Sequence, residues 1–283
     1  MKPQVSIVTP YRNASRFVAP FVDALKRQTY QDWLCIMVDD GSSDGGPALL
    51  ADLVSHDSRF LLISNTIPKH GPGPASARNC ALALVGSDLV AFCDIDDFWH
   101  PEKLQRQLSF HLSNQLDLSV TAYARFLDGR QARPPQCVVS PPAQLDLRDL
   151  LGRNPIPMLT VILATELARA GFSQVAHEDF LFWLDLFSAR PNLRYGCLPE
   201  VLAFYCVHSS SLSSRKIAMP LWAYRVFRHF GQSRERSFVY LCFWLFGHLR
   251  DQFGIRTSEM IIGDSIAELL EKLPLRLPQG ESF

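Results

Sequence analysis

Three carboxylates stand within four residues at Asp94-Ile95-Asp96-Asp97. Acids this close repel one another unless protons or a cation intervene. Hard divalent ions such as Mn2+ or Mg2+ take oxygen ligands, and Mg2+ is typically held by one or two carboxylates together with substrate phosphates. The cluster therefore reads as a metal site, with Asp94, Asp96 and Asp97 as candidate ligands. The plain alternative is a solvated acidic turn capping the next helix. A second acidic pair, Asp39-Asp40, precedes Gly41-Ser42-Ser43-Asp44. Such an Asp can accept hydrogen bonds from a nucleobase edge or a ribose. With Thr9-Pro10-Tyr11 alongside, the pair suggests a base-binding slot in which Tyr11 covers the base. N-capping and turn formation would use the same residues. Gly71-Pro72-Gly73-Pro74 leads into Ala75-Ser76-Ala77-Arg78-Asn79, where backbone N–H groups and Arg78 can meet phosphate. A structural ion pair between Arg78 and one of the aspartates competes with that reading. Finally, Glu178 and Asp179 follow His177 at a helix start. A carboxylate there acts as a general base if it lies near the substrate, or else merely complements the helix dipole.

These residues need a frame, and the hydrophobic pattern supplies one. Val5–Thr9, stopped by Pro10, reads as a buried strand, as do Leu34–Val38, Phe60–Ile63 and Leu89–Cys93. Helical spacing covers Ser15 to about Thr29, Ala48 to Val54, about Ala75 to Val85, a segment starting at Pro101, and Phe180–Phe187. Residues 128–145 read as a loop. Strands alternating with helices predict an α/β fold with a Rossmann-like, mostly parallel sheet flanked by helices. Ligands of open α/β sheets bind beyond the carboxyl ends of the strands. Thr9, Asp39, Asp40, Asp94, Asp96 and Asp97 all lie at such ends, so distant acids and hydroxyls should converge on one crevice.

The 283 residues are 47% hydrophobic, enough for a substantial core. The 28 basic and 28 acidic side chains balance, which argues against a general nucleic-acid binder. The start, MKPQVSIVTPYRN, does not read as a signal peptide, and no apolar run reaches the roughly 18 residues of a membrane span. Seven cysteines without a C-x-x-C pair suggest a reducing, cytoplasmic setting rather than a disulfide or zinc framework. Charge is uneven. Residues 1–100 carry 8 Lys/Arg against 11 Asp/Glu (−3), whereas 215–256 carry 8 against 2 (+6) and are rich in aromatics. A basic amphipathic stretch over 217–256 can lie on the inner face of an anionic membrane, or its aromatics can pack onto the rest of the chain.

The segments VSIVTPYRNA, VDDGSSD, ASARNCAL, FCDIDDFWHPEKL and HEDFLFWL, in this order, resemble family 2 glycosyltransferases of the GT-A fold. The resemblance spans roughly residues 1–215 and implies an inverting transfer of sugar from a nucleotide diphosphate donor, UDP-linked by family habit, to an acceptor hydroxyl in envelope or extracellular polysaccharide or glycolipid synthesis. It implies a nucleotide-binding half over 1–115, an acceptor half over 116–215 and a helical extension over 216–283. Asp94 and Asp96, with Ile95 between them, become the D-x-D pair that holds Mn2+ or Mg2+, Asp96 foremost. Thr9 and Asp40 become base contacts, Asp179 the catalytic base with Glu178 beside it, and His208 a late contact near the diphosphate. The GPGP loop and Asp185 depart from the family pattern, which bears on the details of donor and acceptor. A dinucleotide oxidoreductase is disfavoured because TPYRNAS after the first strand holds no glycine. A sugar nucleotidyltransferase lacks its usual Gly-rich loop there, and a non-catalytic sugar-nucleotide or glycan binder is the remaining alternative.

Overall fold

Four apolar runs in the first third of the chain form a parallel sheet because both of their faces are covered. The computed structural model describes residues 4–65, 71–127, 137–207 and 219–252, with side chains to Leu245 in the last stretch. In it the runs are β1 (Val5–Tyr11), β2 (Trp33–Asp39), β3 (Phe60–Ser64) and β4 (Leu89–Phe92). They pair in parallel in the order β3-β2-β1-β4. Successive strand side chains point to opposite faces. Accordingly Ile7, Cys35, Met37 and Ala91 pack on one side, with α1 (Ser15–Lys26), α2 (Gly46–Val54) and α4 (Lys103–Ser113). Val8, Ile36, Val38, Val90 and Phe92 pack on the other, with α3 (Pro74–Leu82), α5 (Leu147–Gly152), α6 (Thr165–Ala168) and α7 (Glu178–Ala189).

The parallel character belongs to this first half. Beyond β4 the sheet continues through β8 (Ile162–Ala164), β6 (Leu118–Leu127), β9 (Tyr195–Val207) and the short β5 (Phe98–Trp99). Only the β6–β9 pairing there is parallel. Sequence pattern conceals β6 and β9 for physical reasons. Ser119 and Thr121 are polar yet fully buried in β6, and Ser119 is satisfied by Gln107 and His111 of α4. In β9, Pro199 and Glu200 fall in an irregularity where Thr121 pairs with Leu198 and Ala122 with Val201. The expected loop over 128–145 contains β7 (Cys137–Val139), a three-residue strand on β6; residues 128–136 lie outside the described set.

Pro10 does not stop β1. The Val8 carbonyl accepts from Cys93 on the β4 side and the Tyr11 carbonyl accepts from Asp40 on the β2 side. By alternation the nitrogen of Pro10 faces β4, whose strand has already ended, so no ladder bond is lost. The helix expected from Pro101 begins at Lys103, after a turn.

The C-terminal helices α8 (Met219–His229) and α9 (Arg234–Gln252) join the core on the α7 side through Ala223, Val226, Phe227 and Trp244. Among the described residues no helix is long and apolar enough to cross a membrane.

One core residue defies the usual rule for charge. Lys103 is fully buried in α4, its Nζ lies 3.5 Å from the centre of the Trp99 ring, and it has no hydrogen-bond partner among the described residues. Burial pulls its pKa from 10.5 to about 7, with Cys93 opposing. The unfolded chain therefore binds the extra proton between those values, and stability rises with pH across that window. Lys103→Met should be at least as stable as the native protein near pH 7, by up to roughly 1–4 kcal/mol. It should also lose part of the rise in thermal midpoint from about pH 7 to about pH 9. A variant with a lower midpoint at pH 7 and the native pH slope would contradict this.

Candidate active site

The crevice forms where the sheet changes direction. The chain moves outward from β1 to β2 and β3, then returns to place β4 on the opposite side of β1. Loops leaving β1 and β4 therefore diverge and leave a gap beyond their carboxyl ends. The β1 and β2 loops are stitched together. Asn13 accepts from the Ser43 amide at 2.7 Å and donates its own amide to Ser42 Oγ at 2.9 Å, while Asp44 accepts from the Ser15 amide at 2.9 Å.

Asp39 and Asp40 divide the work of that rim. Asp39 Oδ1 accepts from the Ser42 amide at 2.9 Å, closing a turn through Gly41, whose φ of +81° suits glycine. Asp40 Oδ1 accepts from Asn65 Nδ2 at 2.6 Å and Oδ2 from the Gly73 amide at 2.8 Å. It thereby ties the ends of β2 and β3 to the loop that starts α3. Asn65 also reaches Ser76 of α3. Asn65 carries no motif of its own, and its role emerges only from this convergence.

Three expectations at the crevice need correction. The Thr9 side chain does not face the crevice: it is fully buried, with Oγ1 3.6 Å from Cys35 Sγ. Tyr11, with Pro10 buried beside it, packs into the α1-side core rather than presenting its ring. Burial, then Asp39 and Asp44, pushes the Tyr11 phenol up to about 12. Asp97 does not present an open carboxylate to the crevice. It is buried, and its Oδ1 accepts from the Cys206 amide of β9 at 3.1 Å, which anchors the acidic loop to the far half of the sheet. Burial first, then Asp96 and Asp94, raises its pKa well above the carboxylate range. Ile95 is also buried. Among the described residues no three His, Cys, Asp or Glu side chains gather as a ligand set. His208 lies outside the described residues.

Asp94 and Glu178 meet on one cation. Arg78, in α3 and only 4% exposed, donates from Nη2 to Asp94 at 2.9 and 3.2 Å and from Nη1 to Glu178 at 2.5 Å. Burial alone would lower its pKa, but Asp94, Glu178 and Asp179 together hold it above the ordinary value. Its Nε–H has no partner among the described residues. The structural ion pair is thus realised, and it joins the β4 loop to the start of α7. Glu178 is itself raised, chiefly by burial, against which Arg78 pulls down and Asp179 pushes up.

Helix α7 is apolar almost all round, with Phe180 to Leu184, Leu186 and Phe187 buried. At roughly 1.5–3 kcal/mol per fully buried large side chain, that packing fixes the helix firmly. Its first turn is aimed by His177, which adopts φ 60°, ψ 49° and sets its ring edge-on to Trp222 of α8 at 5.2 Å. His is among the residue types that tolerate this left-handed conformation. The turn leaves Asp179 accepting from Asn154 Nδ2 at 3.0 Å through Oδ2. Asn154, between α5 and β8, is a second contributor without a sequence signature. At the other end, Asn79 exchanges two 2.7 Å bonds with the Phe172 backbone and locks α3 to the α6–α7 connection. An acidic loop, a buried guanidinium and a paired-acid helix start thus meet at the switch point of an α/β sheet, the place where ligands of such sheets bind.

Comparison with known proteins agrees. The family model for glycosyl transferase family 2 matches residues 6–162. The putative teichuronic acid biosynthesis glycosyltransferase TuaG of Bacillus subtilis is 32% identical over 219 residues, 76% of this chain and 83% of that one. The UDP-Glc:alpha-D-GlcNAc-diphosphoundecaprenol beta-1,3-glucosyltransferase WfgD of Escherichia coli is 30% identical over 213 residues, 75% of this chain and 80% of that one. The crystal structure of S. aureus TarS residues 1–349 with UDP-GlcNAc superposes with a TM-score of 0.65 at 20% identity, covering 91% of this chain and 77% of that one. The chain belongs to glycosyltransferase family 2 and has the GT-A fold.

Replacing Arg78 with Ala leaves Glu178 buried without its counter-charge. The cost should be about 3 kcal/mol, the low end for breaking a buried pair, because Asp94 stays 39% exposed and can rehydrate. Urea denaturation measures this; a loss below about 0.5 kcal/mol would remove the pair from the structural role given to it.

Proposed function

We propose that this glycosyltransferase moves a sugar, with inversion at the anomeric carbon, from a UDP-linked donor to a hydroxyl of a lipid-linked or envelope glycan. The single observation that carries the reading is the Arg78 bridge, which holds Asp94 at the end of the sheet within one guanidinium of Glu178. Support for the donor and acceptor classes comes from WfgD, whose name gives UDP-Glc as donor and a diphosphoundecaprenol-linked GlcNAc as acceptor. TarS, similarly, was crystallised with UDP-GlcNAc. Seven cysteines without a C-x-x-C pair suit a reducing compartment, and we place the reaction on the cytoplasmic side of the membrane.

The donor set fits a hard divalent cation. Asp96 and Asp94 offer carboxylate oxygens two residues apart in the sequence, with Asp94 solvent-accessible and Asp96 half-buried. Asp96 is the foremost ligand by its place in the family's D-x-D pattern, while Asp94 is shared with Arg78. Two carboxylates plus donor phosphates is a common arrangement for Mg2+. Bound Mn2+ or Mg2+ would supply Lewis-acid neutralisation of the departing diphosphate.

The chain's own residues do the rest. Asp40 fixes the wall against which the base sits, through Asn65 and the Gly73 amide. Arg78 keeps Asp94 and the start of α7 in register. Asn154 engages Oδ2 of Asp179, leaving Oδ1 to take the acceptor proton. The acceptor oxygen bonds to the anomeric carbon as the bond from that carbon to the phosphate oxygen breaks, and the nucleoside diphosphate leaves with the electron pair.

Asp179→Asn should lower turnover about 10²–10⁴-fold while UDP-sugar binding is retained. Single-turnover transfer and donor titration on the same variant test this; native turnover would remove Asp179 from the role of base. Asn154→Ala should cost less, and in kcat rather than in donor affinity, because it loosens the base without deleting it. An effect confined to donor affinity would contradict the positioning role.

A further inference from the structure

Helices α8 and α9 bury one stripe each and leave the opposite stripe to solvent. In α8 the inward residues are Ala223, Val226 and Phe227, and the outward positions, one helical repeat apart, are Leu221, Arg225 and Arg228. In α9 the inward residues are Ser237, Tyr240, Leu241 and Trp244, whereas Phe238, Val239, Cys242 and Phe243 face out. Phe238 is 61% exposed and Phe243 60%. These are large aromatic surfaces that a globular core normally claims. Among the described side chains, the same helices expose Arg225, Arg228, Arg234 and Arg236 against the acid Glu235.

Aromatic and aliphatic side chains interleaved with arginines match the border between acyl chains and anionic headgroups. The four arginines against Glu235 give the described face of α8 and α9 an excess of positive charge, which an anionic surface attracts. Within the described residues neither helix is long and apolar enough to cross a membrane. We infer that the outward face of α8 and α9 is a docking surface for an anionic phospholipid bilayer. The protein lies on the membrane through Phe238, Val239, Phe243 and Leu221, with the arginines at the phosphate level. Because α8 also packs on the start of α7 through Trp222 and His177, one helix layer separates this face from Glu178 and Asp179. A docked molecule therefore carries its proposed base close to the lipid surface. The surface is made by exposed side chains and their charge alone and does not depend on the proposed reaction.

The test is co-sedimentation of the full chain, without sugar nucleotide, with phosphatidylcholine vesicles that contain or lack phosphatidylglycerol. Binding should require phosphatidylglycerol and weaken as salt rises. Phe238→Ser with Phe243→Ser should weaken it by about tenfold or more, as should Arg225→Glu with Arg234→Glu, each with a native thermal midpoint. The two pairs test the apolar and the charged halves of the surface separately. Equal or absent sedimentation with both vesicle types would overturn the proposal, as would native binding by both variants. Light scattering that showed a dimer split by the Phe238→Ser, Phe243→Ser change would assign the face to a second copy instead.

Discussion

One buried guanidinium organises the crevice. Arg78 sits where α3 meets the sheet, with so little exposure that its charge is tolerable only beside compensating carboxylates. Asp94 and Glu178 provide them from segments far apart in the chain. Those same two acids would repel each other without the arginine between them. The ion pair is therefore a mutual constraint. It fixes the loop after β4, the first turn of α7 and the spacing between them.

The rest of the fold serves that constraint. Asp97 anchors the acidic loop from beneath through the Cys206 amide, and Asn79 clamps α3 to the segment before α7. Gly171 stands under that clamp: a Cβ there would lie 3.0 Å from Asn79 Oδ1, and its φ of +76° disfavours other residues. The aromatic body of α7 is covered on its outer side by α8, with Phe180 against Phe227 at 5.7 Å. The C-terminal helices are thus part of the support of the site, although the family model ends at residue 162.

How much of this could be read from the chain depends on whether a feature is local. Strands buried on both faces show as continuous apolar runs, so β1 to β4 and the convergence of acids at their ends were legible. Strands β6 and β9 were not, because Ser119, Thr121 and Glu200 break the pattern for reasons that lie in α4 and in the sheet register. Acidic residues advertise themselves in a sequence, but their direction does not. Asp94 and Asp97 look alike in D-I-D-D, yet one faces Arg78 and the other a backbone amide in the core. Asn65 and Asn154 had no signal at all, since a single amide becomes informative only beside the carboxylate it holds.

The central claim is that the acids at the end of β4 form a site for a diphosphate and a divalent cation together. Calorimetric titration of UDP into the full chain, with and without Mn2+, addresses it most directly. Binding that appears with Mn2+ and is lost in Asp96→Ala is the predicted result. UDP affinity indifferent to the cation, or unchanged in that variant, would contradict it.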